Sequence, residues 1–435
     1  MAAATQTKRA AKQEGTIADV FTTLGPGTEV AALPVRFAQL KKDVLTDMGA
    51  THASIVQAWR QVLAALEGRT KEIVIPRVSF TDIERGLSNT QKNDIKKSGV
   101  VVVTGAVPKE EALEWKALVK QYIATNPVKG FPTNDIQVYE LYNTKPQIAA
   151  RTHPAVLRTQ QELLQLWHDP SNKHVSFSTP ISYFDRLRIR TPGDRSFTLG
   201  PHIDGGSVER WEDPTFRRVF RRILAGGAGW KSHDPFDVSW RMDAKQDLFG
   251  APAGPRSPRL ASARRRRTSC CLFFCPGLAC GEWELDLESS SFPGSVPGKG
   301  QELNEETHPH LRLGETMTSI PEIQPGDQVY WHCDTVHSVE RLHAGQKDSS
   351  VFYIPAVPLS VKNASYIRDQ RVNFVHGLPA PDFPGGSGES TFTGRATAQE
   401  ITTSQGRQAL GLEPFVSRGV EKDELVDAAN RVLFG

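Results

Sequence analysis

No uninterrupted apolar run in these 435 residues approaches the ~20 that a membrane-crossing helix needs. The first fifteen residues also lack the apolar core of a secretory signal. Both absences favour a soluble protein of the cytoplasm and argue against a membrane partner. Net charge is nearly missing too: 52 Lys and Arg stand against 49 Asp and Glu, leaving +3 and no electrostatic footprint for nucleic acid. Cysteine is scarce, with four of the five packed at Cys270, Cys271, Cys275 and Cys280 and the last at Cys333. The odd count excludes a secreted disulfide framework, and the cluster lacks the paired Cys-x-x-Cys knuckles of a zinc site. Hydrophobic residues reach only 38%, whereas 29 Pro and 35 Gly mark many turns, which points away from a helical bundle and towards a loop-rich mixed fold.

Residues 1–33 read as a flexible N-terminal tail; the Ala-rich start with Lys8, Arg9 and Lys12 has only a faint transit-peptide character. A single domain is expected over 34–384, followed by a C-terminal extension over 385–435 that ends in an amphipathic helix at 422–433. Apolar residues at helical spacing predict helices over 34–48 and 54–66, stopped by Gly49 and Gly68. Asn89 is the expected cap of a short helix to Lys97, and Val100 to Val103 reads as a buried strand. Pro108, Glu110 and Glu111 open a further helix whose buried face is expected to carry Leu113, Ala117, Leu118 and Tyr122, and another helical stretch is expected over 154–167. Strand-like alternation begins at Ile181 and runs to Arg190, with Leu187 and Ile189 on one face and Arg186, Arg188 and Arg190 on the other. Strands are also expected around Val329 to Cys333 and from Ser350 to Ile354.

The chemistry concentrates at Pro201-His202-Ile203-Asp204-Gly205-Gly206. Side chains two residues apart along a strand face the same way, so His202 and Asp204 can present an imidazole and a carboxylate to one point. His337 is the best third ligand, because it follows the Gly326-Asp327 turn by a strand's length and an irregular step. Two histidines and one carboxylate leave positions open for a bidentate cosubstrate and oxygen on non-haem iron(II), though zinc or manganese would accept the same donors. His-x-Asp pairs are frequent by chance; the flanking proline and glycines, and the later histidine, lift this one above that background. His332 is the main rival to His337; facing away from Val329 and Trp331, it is assigned to a place behind the ligands or at the surface. His308-Pro309-His310 reads as polar loop surface. A 2-oxoglutarate cosubstrate would need a cation for its distal carboxylate, and the candidates are Lys347 with Ser349, or Arg188 and Arg190 on the strand before the ligand pair.

Three stretches carry a resemblance: His202-Ile-Asp-Gly-Gly-Ser-Val-Glu-Arg-Trp211, Pro325-Gly-Asp-Gln-Val-Tyr-Trp-His-Cys-Asp-Thr-Val-His-Ser-Val-Glu340, and Tyr353-Ile-Pro-Ala-Val-Pro358. From about Arg36 to Pro384 the chain resembles domain-of-unknown-function family 1479 of bacteria and fungi. That family looks like a branch of the iron(II)/2-oxoglutarate-dependent dioxygenase superfamily. The resemblance implies an α+β fold with a double-stranded β-helix (jelly-roll, cupin-like) core, N-terminal and flanking helices, and His202, Asp204 and His337 as ligands. Glu209, Arg210 and Trp211 complete the first signature and are read as substrate-side residues or supports behind the ligands.

One segment departs from the family pattern. Between Gly254 and Gly281, where apolar strands are expected, an arginine run at 264–267 abuts a cysteine-rich apolar run. Lacking either periodicity, it reads as translated intron with core strands missing, which would expose neighbouring strand edges and impair activity. The leading expectation is an iron(II)- and 2-oxoglutarate-dependent oxidoreductase acting on a small molecule. A metal-dependent jelly-roll enzyme without redox chemistry and an inactive ligand- or protein-binding jelly roll are the competitors.

Overall fold

A computed structural model describes residues 15–24, 32–67, 74–170, 175–204, 207–241, 274–276, 283–417 and 423–435. The 254–281 segment lies outside these residues except for the backbone of the short strand Phe274–Pro276, which pairs with Trp283–Leu285. The chain is a mixed α+β structure in which the described strands form small separate sheets joined by many helices.

The N-terminal helices form at Arg36–Asp47 and His52–Glu67. Their apolar stripes, including Phe37, Leu40, Trp59 and Val62, pack on Trp211, Phe216, Phe220 and Leu224, which follow the His-x-Asp pair in sequence. Each large side chain fully buried there contributes about 1.5–3 kcal/mol, so this pair of helices anchors the segment that follows the His-x-Asp pair. Ser88, not Asn89, caps the next helix, Asn89–Ser98: its hydroxyl accepts from the Gln91 N–H while the Gln91 side chain reaches back, a reciprocal arrangement that asparagine one step later cannot make. Gly99 then ends the helix in the left-handed region at φ 75°.

Val100–Thr104 is a buried strand, held between Arg77–Ser79 in parallel and Gln328–Trp331 in antiparallel pairing. The helix Lys109–Thr125 buries Val119 and Tyr122, whereas Leu113 and Leu118 are exposed. The expected face was rotated because the helix packs on the strand Leu187–Arg190 through its later turns. The expected continuous strand from Ile181 to Arg190 is two strands in different sheets. Ser176–Ser182 pairs with Ala356–Leu359, and Leu187–Arg190 is flanked by Ser349–Phe352 and Val138–Tyr139. Arg151 and Gln147, both buried, satisfy the Asp185 carbonyl at the break.

The C-terminal part of the chain packs on the body. Val361–His376 and Asp423–Phe434 pack together on Ile181, Val357 and Leu359. Fully buried Glu389 joins this extension to the centre, accepting the backbone N–H groups of Tyr142 (2.6 Å) and Asn143 (2.9 Å) and the Tyr122 hydroxyl (2.9 Å). No helix among the described residues is long and apolar enough to cross a membrane.

Candidate metal centre

His202 and His337 face each other across a short antiparallel bridge. The His202 N–H donates to the His337 carbonyl at 2.9 Å and the His337 N–H returns the bond at 3.0 Å. Paired residues of this kind send their side chains to the same face, and the two imidazole centroids lie 4.1 Å apart. Val339 extends the ladder by donating to the Leu199 carbonyl. On its other edge His202 bridges Glu302, whose carboxylate is held by the N–H groups of Thr22 and Thr23. Asp204 adds its carboxylate to the same face, with Oδ1 4.0 Å from His202 Nε2 and Oδ2 3.6 Å from His337 Nε2. The three donor atoms all lie within 4.8 Å of one another. Bonds of ~2.1 Å would place adjacent donors ~3 Å apart, so closing on an ion takes side-chain adjustments of roughly 1 Å.

Both histidines are oriented from behind. His202 Nδ1–H donates to the Gly200 carbonyl at 2.8 Å and His337 Nδ1–H to the Thr335 carbonyl at 3.1 Å, the tautomers that leave each Nε2 lone pair directed at Asp204. Burial pushes the His202 pKa down to about 4; the neighbouring His337 adds to the fall, against Asp204 and Gly200. The ring is therefore neutral and a competent ligand near neutral pH.

Burial also lowers the His308 pKa to about 4. Against an unperturbed value of 6.5, the unfolded chain binds more protons than the native one between pH 6.5 and 4. The contribution of these two neutral rings is complete above about 6.5 and is lost as pH falls towards 4. The thermal midpoint of chelator-treated protein should fall across that window; a midpoint unchanged from pH 6.5 to 4.5 would contradict the assignment.

The rival histidines have other work. His332, 1% exposed, uses both ring nitrogens: Nε2–H donates to the Pro235 carbonyl and Nδ1 accepts the Asp334 N–H, while the ring stacks on Trp167. His308 and His310 are not the expected polar surface. His308 is fully buried, and His310 meets Trp59 and Trp283 edge to face.

Pairing register sorts the cosubstrate candidates. Arg188 lies opposite Val351 and Arg190 opposite Ser349, so all four share one face, while Leu187 and Phe352 point to the helix Lys109–Thr125. Arg190 is engaged by Asp194 at 2.6 Å, a carboxylate supplied by its own turn. Lys347 and Ser349 are exposed. Arg188 is buried over the Phe197 ring and bonds Gln137 and the Phe197 carbonyl, leaving its Nε without a partner. Phe197 in turn belongs to an apolar cluster with Phe21, whose ring meets His202 edge-on at 4.9 Å.

In the first signature, Trp211 is core, packed on Phe216 and Phe220. Glu209 accepts the Gly298 N–H at 3.0 Å and so tethers the loop that carries Glu302. Arg210 is buried over the rings of Trp211 and Phe216, and among the described residues its Nε has no hydrogen-bond partner. Sequence reading passed over Asp334 and Arg241, which form a two-pronged ion pair beside Cys333; the 93-residue separation between them leaves no local signal.

The Gig2-like family model matches residues 31–256 and 264–412. The chain belongs to the Gig2-like family. The interruption at 257–263 falls inside the anomalous segment. The GlcNAc Inducible Gene 2 protein of Candida albicans, GIG2 (DUF1479), is 25% identical, with 93% of this chain and 96% of that chain covered at a TM-score of 0.80. It carries the same family number that the signatures suggested. The uncharacterized protein YbiU of Escherichia coli K12 is 28% identical over 87% of this chain and 91% of its own length. A protein of Salmonella typhimurium LT2, provisionally described as an oxidoreductase, is 25% identical with 89% and 100% covered and a TM-score of 0.70.

Proposed function

We propose that this Gig2-like chain is an iron(II)- and 2-oxoglutarate-dependent oxygenase of a small molecule. The observation that carries the reading is the convergence of His202 Nε2, His337 Nε2 and the Asp204 carboxylate on one face, with both Nδ1 protons committed to backbone carbonyls. The donor set fits the ion: two imidazoles and one carboxylate gathered on one side are the donors that non-haem iron(II) takes. Iron(II) bound there supplies open positions for a bidentate 2-oxo acid and for oxygen, and hence oxidative chemistry on a nearby C–H bond. The His202–His337 pair and the adjoining Leu187–Arg190/Ser349–Phe352 pair would be remnants of the two sheets of a double-stranded β-helix.

The chain's own residues divide the remaining work. His202, His337 and Asp204 hold the metal. Arg188, with an unpaired Nε on the face opposite the helix, offers a charge-assisted bond to the distal carboxylate of 2-oxoglutarate. Phe21, Phe197 and Leu199 keep water from the approach to His202. The relative described as an oxidoreductase agrees with this class of chemistry.

The test is an anaerobic titration of purified protein with iron(II), then 2-oxoglutarate. A visible charge-transfer band that saturates with 2-oxoglutarate is the expected result. Folded protein that binds iron(II) and develops no band would turn the reading towards metal chemistry without redox change.

A further inference from the structure

Residues 15–24, which composition places in a flexible tail, fold instead into two short 3-10 turns, Ile17–Asp19 and Thr22–Leu24, against the metal centre. Between the turns Phe21 is 8% exposed and sets its ring edge-on to the His202 imidazole, 4.9 Å away. Ile17, Val20 and Leu24 pack with it in one apolar cluster with Phe197, Leu199 and Val339. Phe197 is the ring over which Arg188 lies, and Val339 follows His337 by two residues. The segment thus rests on neighbours of both the candidate cosubstrate anchor and the candidate ligands.

Its fastening is concentrated in one side chain. Glu302 Oε2 accepts the N–H groups of Thr22 (2.8 Å) and Thr23 (3.1 Å), and Oε1 takes the Thr23 hydroxyl. A backbone bond runs alongside, from the Gly300 N–H to the Val20 carbonyl at 2.8 Å. The loop that supplies this clasp is itself tied down: the Gly298 N–H to Glu209, the Glu302 N–H to the Gly294 carbonyl and the Leu303 N–H to the Pro201 carbonyl. Gly300 forms the seat, since a Cβ there would stand 2.8 Å from Phe21 Cε1. Among the described residues, then, the segment joins no sheet and is held chiefly by one carboxylate, one backbone bond and an apolar contact. Segments held in this way open at less cost than the body of a protein, and lids are drawn from them.

We propose that residues 15–24 form a lid over the metal centre, fastened by Glu302, which lifts to let the metal and small ligands exchange and shuts water out when it is down. The inference rests on the proposed metal site. Full-length protein loaded with zinc(II) gives two readouts: amide hydrogen exchange along the chain, and the rate at which excess chelator removes the zinc. In the parent, the Thr22 and Thr23 amides should be less protected than those of the Val100–Thr104 strand, because the lid opens without the body. Glu302→Ala keeps the backbone bridge to His202 and loses the clasp. Lid exchange and zinc release should both rise at least about tenfold, the least expected from losing several bonds to a charged acceptor, with strand exchange unchanged. Glu302→Gln retains an acceptor oxygen and should fall between. Gly300→Ala reaches the same end from the seat, by displacing the Phe21 ring, and is the second route should Glu302→Ala fail to fold. Thr22 and Thr23 amides as protected as the strand in the parent would overturn the proposal. Zinc released at the parental rate from a variant whose lid exchange has risen would sink the lid alone, whereas folded protein that holds no zinc(II) would sink the metal site and the lid together.

Discussion

Asp204→Ala should abolish the charge-transfer band of the iron(II)–2-oxoglutarate complex and weaken iron(II) binding by at least about 100-fold. Removing only an outer partner of a metal ligand already costs ~10–100-fold, and here a ligand itself is lost. An imidazole ligand brings no negative charge, so nothing left in the triad would neutralise the cation. Arg188→Met in the same titration should keep iron(II) affinity and raise the 2-oxoglutarate concentration needed for half the band, because it removes a charge-assisted bond and leaves the ligands untouched. If Asp204→Ala retained the band at parental concentrations, the metal would have to sit elsewhere. If Arg188→Met left the half-point unchanged, Lys347 would be the next candidate.

Glu389→Ala should lower stability by about 3–5 kcal/mol, the usual cost of removing one partner from a buried ionic network. Three donors lose their acceptor at once: the N–H groups of Tyr142 and Asn143 and the Tyr122 hydroxyl. Fully buried Arg151 loses one of the two carboxylates whose charge supports it, keeping Asp185 and its bonds to the Tyr142 and Asp185 carbonyls. Burial raises the Glu389 pKa, and those donors, with the Arg151 charge, pull it back. Glu400→Ala, which removes a partly exposed helix-capping carboxylate, is the control and should cost about 1 kcal/mol. Thermal midpoints of the two variants against the parent decide the matter; equal shifts would show that Glu389 does not carry the junction.

The N-terminal helices were legible because their apolar spacing, glycine stops and length agree. The Val100–Val103 strand was legible for the same sort of reason, a short β-branched run between a helix stop and a turn. The helix Lys109–Thr125 was found, but its buried face was misread: Leu113 and Leu118 are exposed, because the strand that covers the helix meets its C-terminal half. The break between Ile181 and Leu187 left no mark in the alternation either. It exists because buried Arg151 and Gln147, from a helix thirty-odd residues earlier, take the Asp185 carbonyl that a continuous strand would have paired.

Residue by residue, the candidate site divides in the same way. His202 and Asp204 are two apart, and local backbone geometry alone lets them act together. His337 could be named as a candidate, yet only the exchange of backbone hydrogen bonds with His202 brings its ring to the same face. Among the cations, sequence left Lys347, Arg188 and Arg190 level. Pairing register and the capture of Arg190 by Asp194 separate them, since an arginine's role depends on which carboxylates reach it. By itself the sequence determined the family, the candidate ligand pair and the helices that it named, all of which follow from short-range spacing and specific signatures. Tertiary structure alone decided the approach of the third candidate ligand and the Arg241–Asp334 pair, because charge pairing in an interior is a matter of distance in space, which separation along the chain does not encode.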